Sequence, residues 1–529
     1  MSNRKSQNNM SNPSSLPSYI SGATPNPQAN RAPWYKNIAP TYAGIFLWFV
    51  FWQDAVNAPN QGGLLSCGIG WALLSLVVAA LVCHFLFYMV PGMLGMRTGL
   101  PLYIIGTSLF GATGGFFLPG FLMGVLQFGW VGVNIYFSSM LLGNFLGLEA
   151  TSVGVKIIMV AWGVMAAFVG LKGIQYVAKV ATYLPLIPFV ILLLLLGKTI
   201  GGVGSFDPKS FVDASAAIAP TTPAALSGFG VLAFMLTFVV GFFATAGAAG
   251  VDIGSNGRNA GDVSKGGFVG IALAIIFTAG VSLLIVAGTH GSKELSENVT
   301  KNTTAAIEKA VDKELTNAKV AATTSGKELA PEDIKRLTDK VTADTAQKER
   351  LQATSLLSAI MGKSAGLIMF LLALAAFPPA CFSSFIAANS FKTTLPNVSP
   401  FVSVGIGTAV SILLAVTGLA GQAIIVFKII GASFGPICGA MLVEYLFNGG
   451  KWSGPRAGFN PAGWIAWAVG FVVGILPILH EKVSLQIPDM PAAPVAAFLV
   501  GAVVYGLLAK LGVQSAIVPV SGQLADTTK

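Results

Sequence analysis

The chain has 529 residues, of which 54% are hydrophobic and 10% charged, and its mean hydropathy is +0.74. Charged residues make up about a quarter of ordinary soluble domains, so this composition excludes a soluble enzyme and marks an all-α polytopic membrane protein. The formal net charge of +10 does not point to nucleic acid, because no soluble domain is present to carry a basic patch.

Residues 1–40 are rich in Ser, Asn and Pro, and lack both apolar periodicity and the short apolar core of a cleavable signal peptide, which predicts a disordered cytoplasmic tail. Apolar runs long enough to cross a bilayer as helix, about 17 to 25 residues, follow near 41–58, 70–92, 119–145, 153–171, 180–199, 227–252, 266–289, 355–390, 401–418, 422–446, 461–479 and 493–511. Twelve transmembrane helices are expected, with a cytoplasmic tail at 512–529. If the N-terminus is inside, Arg4, Lys5, Arg31, Lys36, Arg97, Lys172, Lys179, Arg258, Lys265, Lys392, Lys451, Arg456 and Lys510 all fall on the cytoplasmic side. That satisfies the positive-inside rule and puts both termini in the cytoplasm. The expected location is the cell inner (plasma) membrane.

Residues 290–354 break the apolar pattern with a polar segment that mixes Lys with Glu and Asp and contains helical stretches such as TTAAIEKAVDKELTNAKVAA. The topology makes it an extracellular insertion, since long polar loops translocate largely regardless of charge. It reads as a solvated helical insertion without a core of its own, and no obligate protein partner is inferred from it. Cys67, Cys83, Cys381 and Cys438 are scattered without metal-ligand spacing and are read as packing residues.

With the insertion set aside, the first ten helices divide into two sets of five, at 41–199 and 227–446, and helices eleven and twelve occupy 461–511. The leader of each set is interrupted: WQDAVNAPNQGG in the first, GFFATAGAAGVDIG in the second. Broken helices at matching positions point to a transporter built from inverted repeats, with substrate held where the breaks expose backbone groups. Gln53, Asp54 and Asn57 sit in the first break, where polar groups facing lipid would cost several kcal/mol, so they are expected to face a cavity.

The third run contains GVLQFGWVGVN, which puts Gln127 and Trp130 on one helix face. An indole beside an amide suits a flat polar heterocycle: the ring stacks while the amide satisfies donors and acceptors on its edge. Trp130 lies mid-run, away from the bilayer interface where tryptophan is otherwise common.

These segments, with GMRTGLPLYIIGTSLFG, GFFATAGAAGVDIGSNGRNAGD and VEYLF near 443–447, resemble the nucleobase:cation symport family of purine-cytosine permease type, over roughly 40–511 apart from the insertion. The resemblance implies twelve helices in a five-plus-five inverted repeat, shared with sodium-coupled amino acid transporters, and import of a base with a cation. It carries Gln127 and Trp130 over as base-binding amide and stacking indole, Phe242 and Phe243 as lining of the same pocket, and Gln53 as a substrate-facing position. Asp54 departs from the cytosine-carrying members, which have a small hydroxyl residue there. It is expected to bind substrate or a proton, or to cap the second half-helix; these roles are compatible.

FPPACFSSF offers the carbonyl of Ala380 and the hydroxyls of Ser383 and Ser384 about one helical turn apart, a hard-oxygen set that suits a small alkali cation. It resembles the sodium site of this transporter architecture, whose remaining ligands are implied to be carbonyls at Phe49 and Trp52. The rival reading has Ser383 and Ser384 bonding back to carbonyls one turn earlier, with Asp54 coupling protons instead. His84 is read as a histidine bonded to a neighbouring carbonyl, and Lys428 and Glu444 as structural charges near helix ends.

No Walker motif, nucleophile elbow or HExxH is present, so the chain is not expected to be an enzyme or to need an organic cofactor. The reading is a secondary active symporter of a nucleobase, cytosine or a similar purine or pyrimidine, driven by sodium. The alternatives are a proton-coupled carrier of another heterocycle, such as allantoin, a hydantoin or a vitamin precursor; a channel; and a sensor.

Overall fold

The computed structural model describes residues 16–46, 60–173, 184–218, 223–324, 328, 330–351, 353–395, 397–483 and 490–520. The first expected span begins as α1 (Ile38–Phe46); Phe49, Trp52, Gln53 and Asp54 lie outside the described residues. Ten described helices are long and apolar enough to cross a membrane, and one more, α13 (Pro400–Val416), is shorter. They coincide with the eleven other apolar runs of the sequence.

In chain order these are α2 (Ile69–Thr98), α3 (Thr107–Phe145), α4 (Val153–Lys172), α5 (Leu186–Val203), α6 (Gly228–Ala248) and α7 (Ala260–Gly291). The insertion follows as α8 (Lys293–Thr324) and α9 (Pro331–Leu351). The eighth span is built from α10 (Ala353–Met361), α11 (Ala365–Ala375) and α12 (Phe377–Thr394). After α13 come α14 (Ala423–Phe447), α15 (Pro461–Val483) and α16 (Ala493–Lys510).

Helix starts carry the caps that the sequence supplies, because the first N–H groups of a helix have no internal partner. Ser152 accepts from the Val155 N–H at 3.3 Å, Ser227 from Gly230 at 3.1 Å and Asn259 from Asp262 at 2.9 Å. α2 stops at Gly99, whose φ of 67° is open to glycine at little cost.

Packing sorts the helices into two groups. α3, α4, α12 and α13 pack on one another, whereas α2, α6 and α7 form a second group that α1 joins through α7. α5 crosses α7 at glycines: a Cβ on Gly202 would lie 2.0 Å from the Gly288 carbonyl oxygen, so only small residues permit this approach. α14 joins α6 to α15 and α16.

Three expectations need correction. Residues 16–37 form an ordered strap instead of part of a disordered tail. Tyr19 donates its hydroxyl to the Ala112 carbonyl. The Asn26 N–H donates to Gly99 at 2.8 Å and the Ala32 N–H to Asn256 at 2.9 Å. Arg31 donates to the Met96 carbonyl at 2.5 Å, and the Trp34 N–H to Asp262 at 3.1 Å, a carboxylate also paired with Arg258. The strap is too polar to fold alone; it takes up backbone groups left unpaired where α2 ends and α7 begins.

His84 does not bond a neighbouring carbonyl through Nδ1, which has no hydrogen-bond partner although the residue is buried. It lies in a π-helical turn of α2, Cys83–Tyr88, among the rings of Phe85, Tyr88 and Phe268. Phe268 opens a second π-helical turn, Phe268–Leu273, in α7.

The insertion is also less detached than its polarity suggested. α8 packs on α9 and α10, burying Thr303 and Ala346. Lys313 reaches Glu149, in the connection from α3 to α4, at 2.5 Å; its hydrogen bond and charge hold that carboxyl below its usual range. Since α8 follows the end of α7 and the strap binds its start, insertion and strap lie on opposite faces of the protein.

Glu444 and Lys428 take the structural roles expected of them. Glu444 is buried and pairs with Arg456 at 3.3 Å, while accepting from Ser453 and Tyr505. Lys428 reaches Glu481 at 3.4 Å.

Candidate functional site

Between the two helix groups lies a cavity of about 410 Å³. α3 contributes Gln127, Trp130 and Asn134; α6 contributes Phe242 and Thr245; α12 contributes Pro378, Pro379, Phe382, Ser383 and Ile386; and α1 contributes Pro40, Thr41, Gly44 and Ile45. Lys36 of the strap also lines it and, like Pro40, is exposed, so the cavity opens on the strap's face of the membrane.

Trp130 is fixed on several sides. Its indole N–H donates to the Thr245 hydroxyl at 3.3 Å, Phe242 meets it edge-on with ring centroids 4.7 Å apart, and Phe427 lies at 5.1 Å. The edge-on contact with Phe242 and the contact with Phe427, tilted at 32°, together fix the plane of the indole. Gln127, one turn earlier, is 5% exposed, and among the described residues its Nε2 bonds only the Met123 thioether, at 3.5 Å. A thioether is a weak acceptor, so the amide keeps capacity for a ligand's edge.

Phe242 lines the cavity as expected, but Phe243 is fully buried and packs against Tyr42, with centroids 5.9 Å apart. Adjacent helical residues point about 100° apart, and here that rotation turns the Phe243 ring from the cavity toward Tyr42. Of the hard-oxygen set, Ser383 lines the cavity, whereas Ser384 donates back to the Ala380 carbonyl at 3.0 Å and packs on Gly170 of α4. Ser384 thus adopts the back-bonded geometry of the rival reading, with its lone pairs still available to a cation.

Thr245 and Asn134 were not singled out from the sequence, though a signal was there. Thr245 follows Phe242 by three residues and Asn134 follows Trp130 by four, which places each on its neighbour's face. Among the described residues no cluster of His, Cys, Asp or Glu could hold a metal ion.

A protein family described as "Permease for cytosine/purines, uracil, thiamine, allantoin" matches residues 25–304, more than half of the chain. The chain belongs to this family. Among individual members of the cytosine/purine permease family, the cytosine permease of Escherichia coli K12 is 25% identical over 242 residues, and that of Escherichia coli O157:H7 is 27% identical over 241. Each match covers 44% of this chain and 50% of the relative, so the chain spans about half the length of the curated relatives it matches.

Solved structures extend the likeness of fold over nearly the whole chain. Mhp1 in an inward-facing conformation gives a TM-score of 0.59 at 13% identity, covering 93% of this chain and 94% of that one. Mhp1 as a nucleobase-cation-symport-1 family transporter, closed with bromovinylhydantoin bound, gives 0.54 at 14% identity, covering 96% and 97%. A Na+-coupled sialic acid symporter in an outward-open state gives 0.51 at 12% identity, covering 95% and 93%. The chain therefore has the inverted-repeat fold of these proteins and is a multi-pass membrane protein.

Proposed function

We propose that the protein is a secondary active symporter that imports a nucleobase, cytosine or a similar purine or pyrimidine, together with sodium, by alternating access. The observation that carries this reading is the convergence of Trp130, Gln127, Phe242 and Ser383 on one cavity between two helix groups. The flat face of a base stacks on Trp130, its edge bonds Gln127, and Phe242 closes the side. Sodium, as co-substrate, takes the Ala380 carbonyl and the hydroxyls of Ser383 and Ser384, with first-helix carbonyls at Phe49 and Trp52, while Gln53 and Asp54 face the base.

The fold supports alternating access, since two packed groups around one central cavity can rock against each other. The distribution of basic residues supports placing the strap, and with it the cavity mouth, in the cytoplasm and the insertion outside an inner (plasma) membrane. The repeats are then 41–199 and 227–446. A second reading, another heterocycle, is favoured by the breadth of the family's description and by the hydantoin bound to the closed relative.

A thermal-shift screen of purified protein against cytosine, uracil, purines, allantoin and a hydantoin, with and without sodium, tests the proposal, because a ligand of the folded state raises its apparent stability by mass action. Stabilisation by a base that grows with sodium supports it; stabilisation by allantoin or hydantoin alone selects the second reading. Counterflow separates a carrier from a channel: preloaded unlabelled base accelerates labelled uptake only through a carrier.

A further inference from the structure

The eighth span is jointed at Ala376, between α11 and α12. Pro378 and Pro379 follow at once and have no N–H to donate, so the carbonyls of Leu374 and Ala375, four residues before them, lose the partners that a continuous helix would provide, and the next carbonyl, of Ala376, begins α12. Asn134 supplies a donor at this joint. Its Nδ2 donates to the Ala376 carbonyl at 2.8 Å, while its Oδ1 accepts from the Trp162 indole at 2.9 Å and from the Ser138 hydroxyl at 3.4 Å. Trp162 in turn meets Phe377 edge-on, with centroids 5.1 Å apart. Asn134 is 1% exposed, and its amide is committed in three directions although its side chain forms part of the cavity wall.

We propose that Asn134 is a positioning residue that couples cation binding on α12 to substrate binding on α3. The amide sits one helical turn beyond Trp130 on one side, and on the other holds the joint that leads directly into Ala380, Ser383 and Ser384. A displacement of α12 on taking up a cation is thereby felt at the stacking indole, and the reverse follows by linkage, since coupling between two sites is reciprocal. The inference rests on the sodium-coupled reading above.

The test is equilibrium binding of radiolabelled cytosine to purified protein in sodium chloride and in choline chloride, with the ratio of the two affinities as the readout. Coupling free energies between sites commonly correspond to roughly 5- to 150-fold changes in affinity, and Asn134→Ala is expected to bring the wild-type ratio down toward one. A ratio unchanged in Asn134→Ala overturns the proposal and leaves the sodium-coupled reading standing. Equal loss of affinity in both salts also overturns it, because Asn134 would then be a direct substrate contact. A wild type that binds no cytosine, or binds it indifferently to sodium, ends this proposal together with the reading beneath it, and the wild-type arm alone reveals that. Should Asn134→Ala fail to fold, Trp162→Phe removes the donor that orients the Asn134 amide and must lower the same ratio; an unchanged ratio there overturns the proposal.

Discussion

Trp130 donates its indole N–H to the hydroxyl of Thr245 at 3.3 Å, joining α3 to α6 across the cavity wall. The bond helps to fix the plane of the indole, on which the proposed flat ligand would stack. Trp130→Ala is expected to weaken every flat ligand alike, because stacking on a base is worth roughly 1 to 3 kcal/mol whatever the ring. Thr245→Val keeps the indole and removes its acceptor, so a smaller loss is expected, about 1 kcal/mol. Binding of a panel of bases to both variants checks this; unchanged affinity in Trp130→Ala would sink the site assignment.

Gln127→Leu should change the order of preference among bases more than the overall affinity. A buried hydrogen-bonding edge left without a partner discriminates more sharply than lost area does. Competition of unlabelled bases against labelled cytosine uptake measures it, and an unaltered ranking would remove Gln127 from the recognition set.

Sodium dependence of uptake at fixed pH should be weakened by Ser383→Ala, and also by Ser384→Ala if its lone pairs serve the cation despite the bond to Ala380. Uptake indifferent to sodium, rising with proton concentration and abolished by Asp54→Asn, would transfer the coupling role to Asp54.

Glu444 and Arg456 are both nearly fully buried, with side chains 6% and 8% exposed. Removing one member leaves the other charged in a dry site, so Glu444→Gln or Arg456→Met should destabilise the fold by about 3 to 5 kcal/mol. The double variant should recover part of the loss. Thermal denaturation in detergent tests this, and a melting temperature unchanged in either single variant would show the pair to be dispensable.

Deleting residues 295–350 with a short flexible linker in their place should leave transport largely intact, since α8 packs on α10 but no described residue of the insertion lines the cavity. The contact between Lys313 and Glu149 is solvated and screened, so Glu149→Gln alone should not measurably shift stability. The lowered Glu149 carboxyl makes the pair intact at neutral pH, losing its contribution only as pH falls through that lowered value. Loss of uptake in a deleted protein that still reaches the membrane would give the insertion a part in gating.

The membrane spans were legible because lipid leaves the backbone few options besides helix, and hydropathy alone then marks the segments. Gln127 and Trp130 were legible from spacing. Phe243 is turned to Tyr42 instead of the cavity, a packing choice between α6 and α1 that the sequence around it does not mark. The back-bond of Ser384 to Ala380 is local and was open to the sequence as a rival reading; its packing against Gly170, on a helix far away in the chain, was not. The strap was illegible for a related reason: its partners are carbonyls and one carboxylate at distant helix ends, and these groups leave no mark on local composition.

The strap also changes how protein production ought to proceed. Trimming a polytopic protein to its apolar portion removes what is assumed to be slack, and composition would invite that here up to about residue 40. In this molecule Asn26 already occupies the space beside Gly99, and Arg31 closes the last turn of α2. A shortened chain would expose those helix ends to water, and its failure in an assay would be mistaken for a fault in targeting. Affinity tags are better carried beyond residue 520.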